Sequence, residues 1–419
     1  MDTLRDFAEQ MWQGRGVMRG LMPEGAPTAR AFALTGQIAV VPDFANITAF
    51  ATDDGLVLVD TGLELTAQSM YDAIRAWSDQ PVRYAVFTHG HVDHVFGLGP
   101  FDAEAEAAGR PKPVVVAHEA VADRFDRYAT TAGYNAVINS RQFGVDDLAW
   151  PTTYRRPDRV YRDHFVLEHG GLTFELHHAL GETDDHTWVH VPELGALCPG
   201  DLFVWVSPNA GNPQKVQRYP AEWAQALRTM AEVGAELLLP SHGPPIFGAD
   251  RVREALTCTA EYLEALIEQT LGLMNAGRRL DEIIHTVRPP DHLTSKPYLQ
   301  PVYDEPEFIV RTIWRRYGGW YDGNPAHLKP APEEQLAKVI AQLAGGAERL
   351  ATRAHAAADD GDLRLATDLV ELAWQAAPDD VAIHKSRAEI YEARTEGERS
   401  LMAQGIYRWA ARESRRATE

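Results

Sequence analysis

The segment Thr88-His89-Gly90-His91-Val92-Asp93-His94 decides the reading of this chain. It follows the apolar run 82–87, whose valine and aromatic residues read as a strand. His89 and His91 stand two apart, so in extended backbone both imidazoles point to one side. Asp93 and His94 come next, where the chain should turn. Three imidazoles and a carboxylate placed so closely are good ligands for zinc. A polar loop that happens to be histidine-rich is the plain alternative, and what lies downstream weighs against it.

Three later segments each carry one more ligand-type residue. They are Glu182 in Leu-Gly-Glu-Thr-Asp-Asp-His, Asp201 in Cys-Pro-Gly-Asp, and His242 in Pro-Ser-His-Gly-Pro. The runs 196–204 and 236–243 read as short buried strands that end at Asp201 and His242. Ligands at strand ends are what an αββα sandwich, which gathers its loops along one edge, would offer.

The surrounding pattern is β-rich from Ile38. Segments 38–44, 46–62 and 81–91 are apolar runs broken by Asp-Asp-Gly and proline, hence strands and tight turns. Residues 66–78 have helical spacing, 114–121 read as a strand entering a helix, and Gly170-Gly171 marks a hairpin within 154–180. After Gly248 the β signal stops. Helices are expected over 249–277, 280–287, 305–319, 333–360, 363–377 and 380–397. The last pair resembles one tetratricopeptide-like hairpin. The expected division is therefore a catalytic domain over 1–250 and a helical domain over 251–419. Residues 1 to about 30 read as an arm with one short helical piece.

Bulk composition narrows the function. The chain has 419 residues, 45% hydrophobic, with 60 acidic against 40 basic residues. A net charge of −20 disfavours nucleic acid as a partner, because a phosphate backbone needs a basic face. No apolar run is long enough for a membrane span, and the first residues lack a basic stretch followed by an apolar one. The two cysteines, Cys198 and Cys258, read as buried thiols. A soluble cytoplasmic protein is the expectation.

With these segments together, the chain resembles the metallo-β-lactamase superfamily. The resemblance implies an α/β fold, an αββα sandwich, followed here by an all-α domain. It also implies two metals, most simply zinc, with manganese or iron as alternatives. One metal would take His89, His91 and Glu182, the other Asp93, His94 and His242, with Asp201 bridging. A hydroxide between them would be the nucleophile, which makes Asp93 and Asp201 the expected catalytic carboxylates. Asp60, in Leu-Val-Leu-Val-Asp-Thr-Gly, stands where the superfamily keeps an aspartate beneath the metals, and His186 would lie outside the ligand set.

Where most of the superfamily has histidine in a Gly-His-Thr motif, this chain has Glu182. That resembles the alkylsulfatase branch: glutamate, then Ala196-Leu197-Cys198, then an acidic bridging residue, here Asp201. Tyr-Gly-Gly-Trp-Tyr-Asp-Gly-Asn-Pro at 317–325 is similar to the signature of the alkylsulfatase dimerisation domain. The implied activity is hydrolysis of a small anionic ester, an alkyl sulfate, by a homodimer joined through the C-terminal helices. Asn209 matches the branch's sulfate-binding asparagine. The arginine that should follow is out of register, with Gln214, Lys215 and Arg218 nearby, while Phe308 and Phe143 replace an expected histidine and tyrosine. Asn209, Lys215, Arg218, Arg141 and Tyr321 are thus the candidates for substrate binding, with Trp205 and Trp320 beside an alkyl tail. A phosphoester, lactone or thioester hydrolase, or a dimeric interaction protein with a vestigial metal site, are the rival readings. Glu182 also lowers the charge of the cluster. With two divalent metals, Asp93, Asp201, Glu182 and a hydroxide cancel the formal charge, whereas histidine at 182 would leave one positive charge and a tighter grip on anions.

Overall fold

The computed structural model describes residues 3–419 apart from Pro27 and Ala29. Among the described residues the larger strands form two sheets. The first runs in the order Phe32–Ala33, Ile38–Val41, Ile47–Thr52, Gly55–Val59, Val82–Val86, Val114–His118, Arg159–Tyr161, antiparallel up to Gly55–Val59 and parallel beyond it. The second is His164–His169, Leu172–Ala179, His186–Val191, Ala196–Cys198, Leu237–Leu238, Ile246–Phe247, antiparallel except where Ala196–Cys198 meets Leu237–Leu238. The Gly170-Gly171 turn joins His169 to Leu172 with both glycines at positive φ, 51° and 83°, the conformation a tight hairpin demands and glycine allows.

Alternation sets the layers. Phe50, Val57, Val59, Val86 and Val116 of the first sheet face Phe174, Leu176, Val189 and Val191 of the second. The Phe50 and Phe174 rings meet edge to face at 5.4 Å. The opposite face of the first sheet, with Leu56, Leu58, Phe87 and Val115, packs on Met70, Ile74, Phe101 and Phe125 from helices Ala67–Trp77, Gly99–Ala107 and Ala120–Thr130. Helices Pro220–Glu232 and Ala249–Asn275 lie against the second sheet. This is a mixed α/β sandwich of the metallo-β-lactamase type, followed by a helical region.

Compactness divides the chain differently from composition. One compact unit comprises residues up to Ala132, Pro151–Arg278 and Glu282–Gly319; the other comprises Gly133–Trp150, Arg279–Asp281 and Trp320–Glu419. The long helix from Ala249 thus belongs with the sheets, because Val252, Leu256, Leu263 and Leu266 are buried there. In the second unit, the run 333–360 is two helices, Glu333–Ala344 and Ala347–Asp359. Gly345 and Gly346 take φ of 92° and 122° and end the first. Helices Leu363–Ala376 and Val381–Glu396 form the expected hairpin, and a further helix, Leu401–Arg416, closes the chain. Cys198 is buried, but Cys258 is only half-buried, because its helix turns it toward the unit's surface. Among the described residues no helix is long and apolar enough to cross a membrane.

Candidate metal centre

Five loops at strand ends of the first unit converge on one point. The strand Val82–Val86 leads into His89, His91, Asp93 and His94. The loop between Leu172–Ala179 and His186–Val191 carries Glu182, the turn after Ala196–Cys198 carries Asp201, and the loop after Leu237–Leu238 carries His242. Asp60 follows Gly55–Val59 beneath them.

The potential ligand atoms fall into two groups, each within 4.8 Å: His89, His91, Glu182 and Asp201; and Asp93, His94 and His242. Asp201 Oδ2 reaches both, at 3.9 Å from His89 Nε2, 3.6 Å from His94 Nε2 and 3.3 Å from His242 Nε2. Asp93 Oδ2 lies 3.5 Å from His94 Nε2 and 3.4 Å from His242 Nε2. His91 Nδ1 is 3.7 Å from Glu182 Oε1.

Behind these atoms, each group is oriented by a partner. The Asp60 carboxylate accepts from Thr88 N at 2.8 Å, Thr88 Oγ1 and Ser241 Oγ at 2.9 Å, and contacts His94 Nδ1 at 2.8 Å. It does so from a left-handed backbone, φ 58°, which costs a non-glycine residue about 1–2 kcal/mol and is held by those contacts. His242 Nδ1 donates to Phe44 O at 2.6 Å. Both histidines therefore turn Nε2 inward. Those two Nε2 atoms and Asp201 Oδ1 are buried with no aligned hydrogen-bond partner among the described residues.

The segment 182–187 organises the other side. Asp185 Oδ2 accepts from Gly90 N at 2.9 Å and from Arg124 Nε at 2.7 Å. His186 Nε2 accepts the Asp201 N–H at 3.1 Å while its ring stacks on His89 at 4.5 Å. Thr187 N donates to Thr88 O at 2.6 Å. Burial holds His186 down to about 4, so its imidazole stays neutral and can accept that N–H. Sequence reasoning placed His186 outside the ligand set but missed Arg124 and Asp185. The only sequence signal for this pair was an arginine on an otherwise apolar helix face.

The electrostatics favour a cation. Burial works against a charged His94 or His242, yet the neighbouring Asp93 and Asp201 outweigh it, raising His94 well above its usual value and His242 to about 10. Burial, with neighbouring positive charge, holds His89 and His91 well below theirs. Burial pushes Glu182 up to about 8, with Arg218 opposing and Asp201 and Asp93 adding to the rise. Buried carboxylates with inward-facing, unpartnered imidazole nitrogens are a donor set suited to divalent metal.

The substrate candidates separate. Asn209 Nδ2 donates to Glu182 Oε1 at 2.5 Å, and its Oδ1 is buried without a partner among the described residues. Arg218, buried, directs Nη1 to Glu182 O and Nη2 to Glu182 Oε1 at 3.1 Å. The charge count made from sequence omits this guanidinium, which restores the positive charge that glutamate removes. Lys215 also feels Glu182 and Asp93. Arg141 and Tyr321 belong to the second unit, where the Arg141 guanidinium lies 5.9 Å from the Trp409 ring centre. Trp205 is buried with Nε1 on Pro244 O at 2.6 Å, a packing role, while Trp320 is 68% exposed.

Comparison with known proteins places this geometry. Residues 40–242 match the family described as metallo-beta-lactamase superfamily, and residues 279–417 match alkyl sulfatase dimerisation. A linear primary-alkylsulfatase from Pseudomonas sp. is 27% identical over 351 residues, 78% of this chain and 66% of the relative. An (R)-specific secondary-alkylsulfatase from Pseudomonas sp. is 29% identical over 358 residues, 78% of this chain and 53% of the relative. The solved structure of a stereoselective inverting sec-alkylsulfatase from Pseudomonas sp. superimposes with a TM-score of 0.83 at 25% identity, covering 93% of this chain and 66% of that one. The chain thus spans between about half and two-thirds of the length of these relatives. Its sheet-bearing part is similar to the metallo-β-lactamase superfamily, and the helical residues that follow in sequence are similar to the alkyl sulfatase dimerisation family.

Proposed function

We propose that this chain is a binuclear metal hydrolase that cleaves alkyl sulfate esters to an alcohol and sulfate, and that it works as a homodimer through its C-terminal helices. The observation that carries the reading is Asp201 Oδ2 shared between two ligand groups, one of which contains Glu182 in place of histidine. Similarity to primary and secondary alkylsulfatases supports the substrate class. His89, His91 and Glu182 would hold one metal, Asp93, His94 and His242 the other, and Asp201 both. Zinc suits this mixed nitrogen and oxygen set, and manganese or iron would use the same atoms. Bound there, two divalent ions supply Lewis acidity and a nucleophile drawn from water at neutral pH.

The chain's own residues shape the rest. Glu182, Asp201, His94 and His242 are sealed from solvent, whereas the side chains of His91 and Asp93 remain 18% and 14% exposed. Substrate therefore approaches from the His91–Asp93 side. Asn209 and Lys215 lie by Glu182 to meet sulfate oxygens, Asn209 through its amide and Lys215 through its charge. We place catalysis in the sheet-bearing part and dimerisation in the helices that follow.

The test is a hydrolysis panel of matched alkyl sulfates and alkyl phosphates on metal-loaded protein, with elemental analysis alongside. Sulfate release with two metals per chain is expected. Turnover of phosphates alone, or one metal or fewer after loading with excess zinc, overturns the reading. His89→Ala should abolish turnover.

A further inference from the structure

Among the described residues, Glu182 is the one member of the two ligand groups that pairs with an arginine. Arg218 is 1% exposed and meets it twice, at the backbone carbonyl and at Oε1. Asn209 takes the same Oε1. The loop that carries Arg218 is itself fixed: Tyr219 N donates to Gly181 O at 3.0 Å, and Gln217 Nε2 bridges Arg218 O and Thr312 O. A buried guanidinium held this firmly is neither solvated nor free to swing away. Asp93, in the other group, has no arginine against its carboxylate among the described residues; it meets His94 and His242 and, like Glu182, feels the charge of Lys215.

Charge then differs between the groups. Counted as ligands, with carboxylates ionised and imidazoles neutral, the His89–His91–Glu182 set is neutral once Arg218 is included, and the Asp93–His94–His242 set carries one negative charge; Lys215 acts on Glu182 and Asp93 alike and does not separate them. Both share Asp201. At these distances, in a buried site, one unit of charge outweighs most differences of geometry between similar ligands.

We propose that Arg218 is a positioning residue that fixes Glu182 and cancels its charge, so that the two metal positions are unequal: Asp93–His94–His242 fills first and tightly, His89–His91–Glu182 second and reversibly. The inference rests on the two-metal reading above. Arg218 does two opposed things here. It stabilises the metal-free protein by pairing a buried carboxylate, and it weakens that carboxylate as a ligand. The second position is thereby the exchangeable one.

The test uses the full chain, stripped of metal and titrated with zinc against a chromophoric competing chelator. Two steps separated by at least about tenfold are expected. His89→Ala should remove the weaker step and keep the tighter, and His242→Ala the reverse. Arg218→Met should tighten the weaker step by about tenfold or more while lowering the melting temperature of the metal-free protein, and Arg218→Lys should keep the gap. Equal affinities in the unaltered chain, or loss of the tighter step in His89→Ala, overturn this proposal and leave the two-metal reading standing. An Arg218→Met chain that is folded by circular dichroism yet binds its second zinc no more tightly overturns it too. A chain that binds no zinc at all overturns the reading beneath it.

Discussion

Asp185 and Arg124 form a fully buried pair, 2.7 Å from carboxylate to Nε, and the same carboxylate oxygen holds the backbone N–H of Gly90 between His89 and His91. The pair therefore sets the spacing of two candidate ligands without touching a metal. Asp185→Ala should lower zinc affinity by about 10–100-fold. It should also destabilise the fold by about 1–3 kcal/mol, because Arg124 loses its buried carboxylate partner and keeps only that of Asp184, whose side chain is 41% exposed. Chelator competition and thermal unfolding measure the two effects. Unaltered zinc affinity in a destabilised variant would assign the pair to packing alone.

Lys215 gives a pH dependence with a definite sign. Burial and the Arg218 guanidinium pull its ammonium down to about 8, against Glu182 and Asp93. Below that pH the side chain is charged and attracts an anionic ester; above it the attraction fades. KM for an alkyl sulfate should therefore rise as pH passes through about 8, with kcat less affected. Lys215→Met should raise KM at pH 7 by about tenfold, the worth of one charge-assisted hydrogen bond, and flatten that rise. An equal rise in the variant would assign the titration to another group.

Gly200 has no room for a side chain. It sits at φ 56°, and a Cβ there would lie 2.5 Å from His186 Nε2 and 2.9 Å from Thr88 Cβ. Gly200→Ala combines left-handed strain with a clash and should cost about 2–4 kcal/mol. Since His186 holds Asp201 N, the clash should also reduce metal uptake in whatever protein remains folded. Calorimetry and elemental analysis check the two parts, and a melting temperature matching the parent chain would contradict the first.

The helix Glu333–Ala344 shows solvent an apolar row. Leu336, Val339 and Leu343 are 53%, 50% and 85% exposed, while Ala337 and Ala341 on the other side are buried. Spacing of three and four residues puts the exposed three on one face. A second copy of the chain is the partner this face should cover. Light scattering should give a dimer for the full chain, and Leu336→Glu with Leu343→Glu should give a monomer of unchanged helix content. A dimer that survives both changes moves the interface elsewhere.

How much of this could be read from sequence depends on the range of the interaction. The histidine segment and the strand-end positions of Glu182, Asp201 and His242 rest on local pattern, and in the structure their side chains meet. The Gly170-Gly171 hairpin is equally local. The direction in which Arg218 points is not local. It is chosen by a loop pinned to Gly181, and nothing in its neighbours announces that its charge is spent on Glu182. Arg124 and Asp185 lie 61 residues apart and are brought together by the packing of helix Ala120–Thr130 on the first sheet. The helices Pro220–Glu232 and Leu401–Arg416 also went unread. The Gly345-Gly346 break was missed because the apolar spacing carries on across it while the backbone does not.

The seven candidate ligands come from both sides of the sandwich: His89, His91, Asp93 and His94 follow a strand of the first sheet, and Glu182, Asp201 and His242 follow or precede strands of the second. Between the sheets lies an apolar core, cohesive but without direction. Ions at that edge would act as a clasp, since the sheets could not part until several coordinate bonds had broken. Chelation should then do more than silence hydrolysis: it should shorten the lifetime of the native state against heat and protease, making persistence of the protein a gauge of the metal available around it.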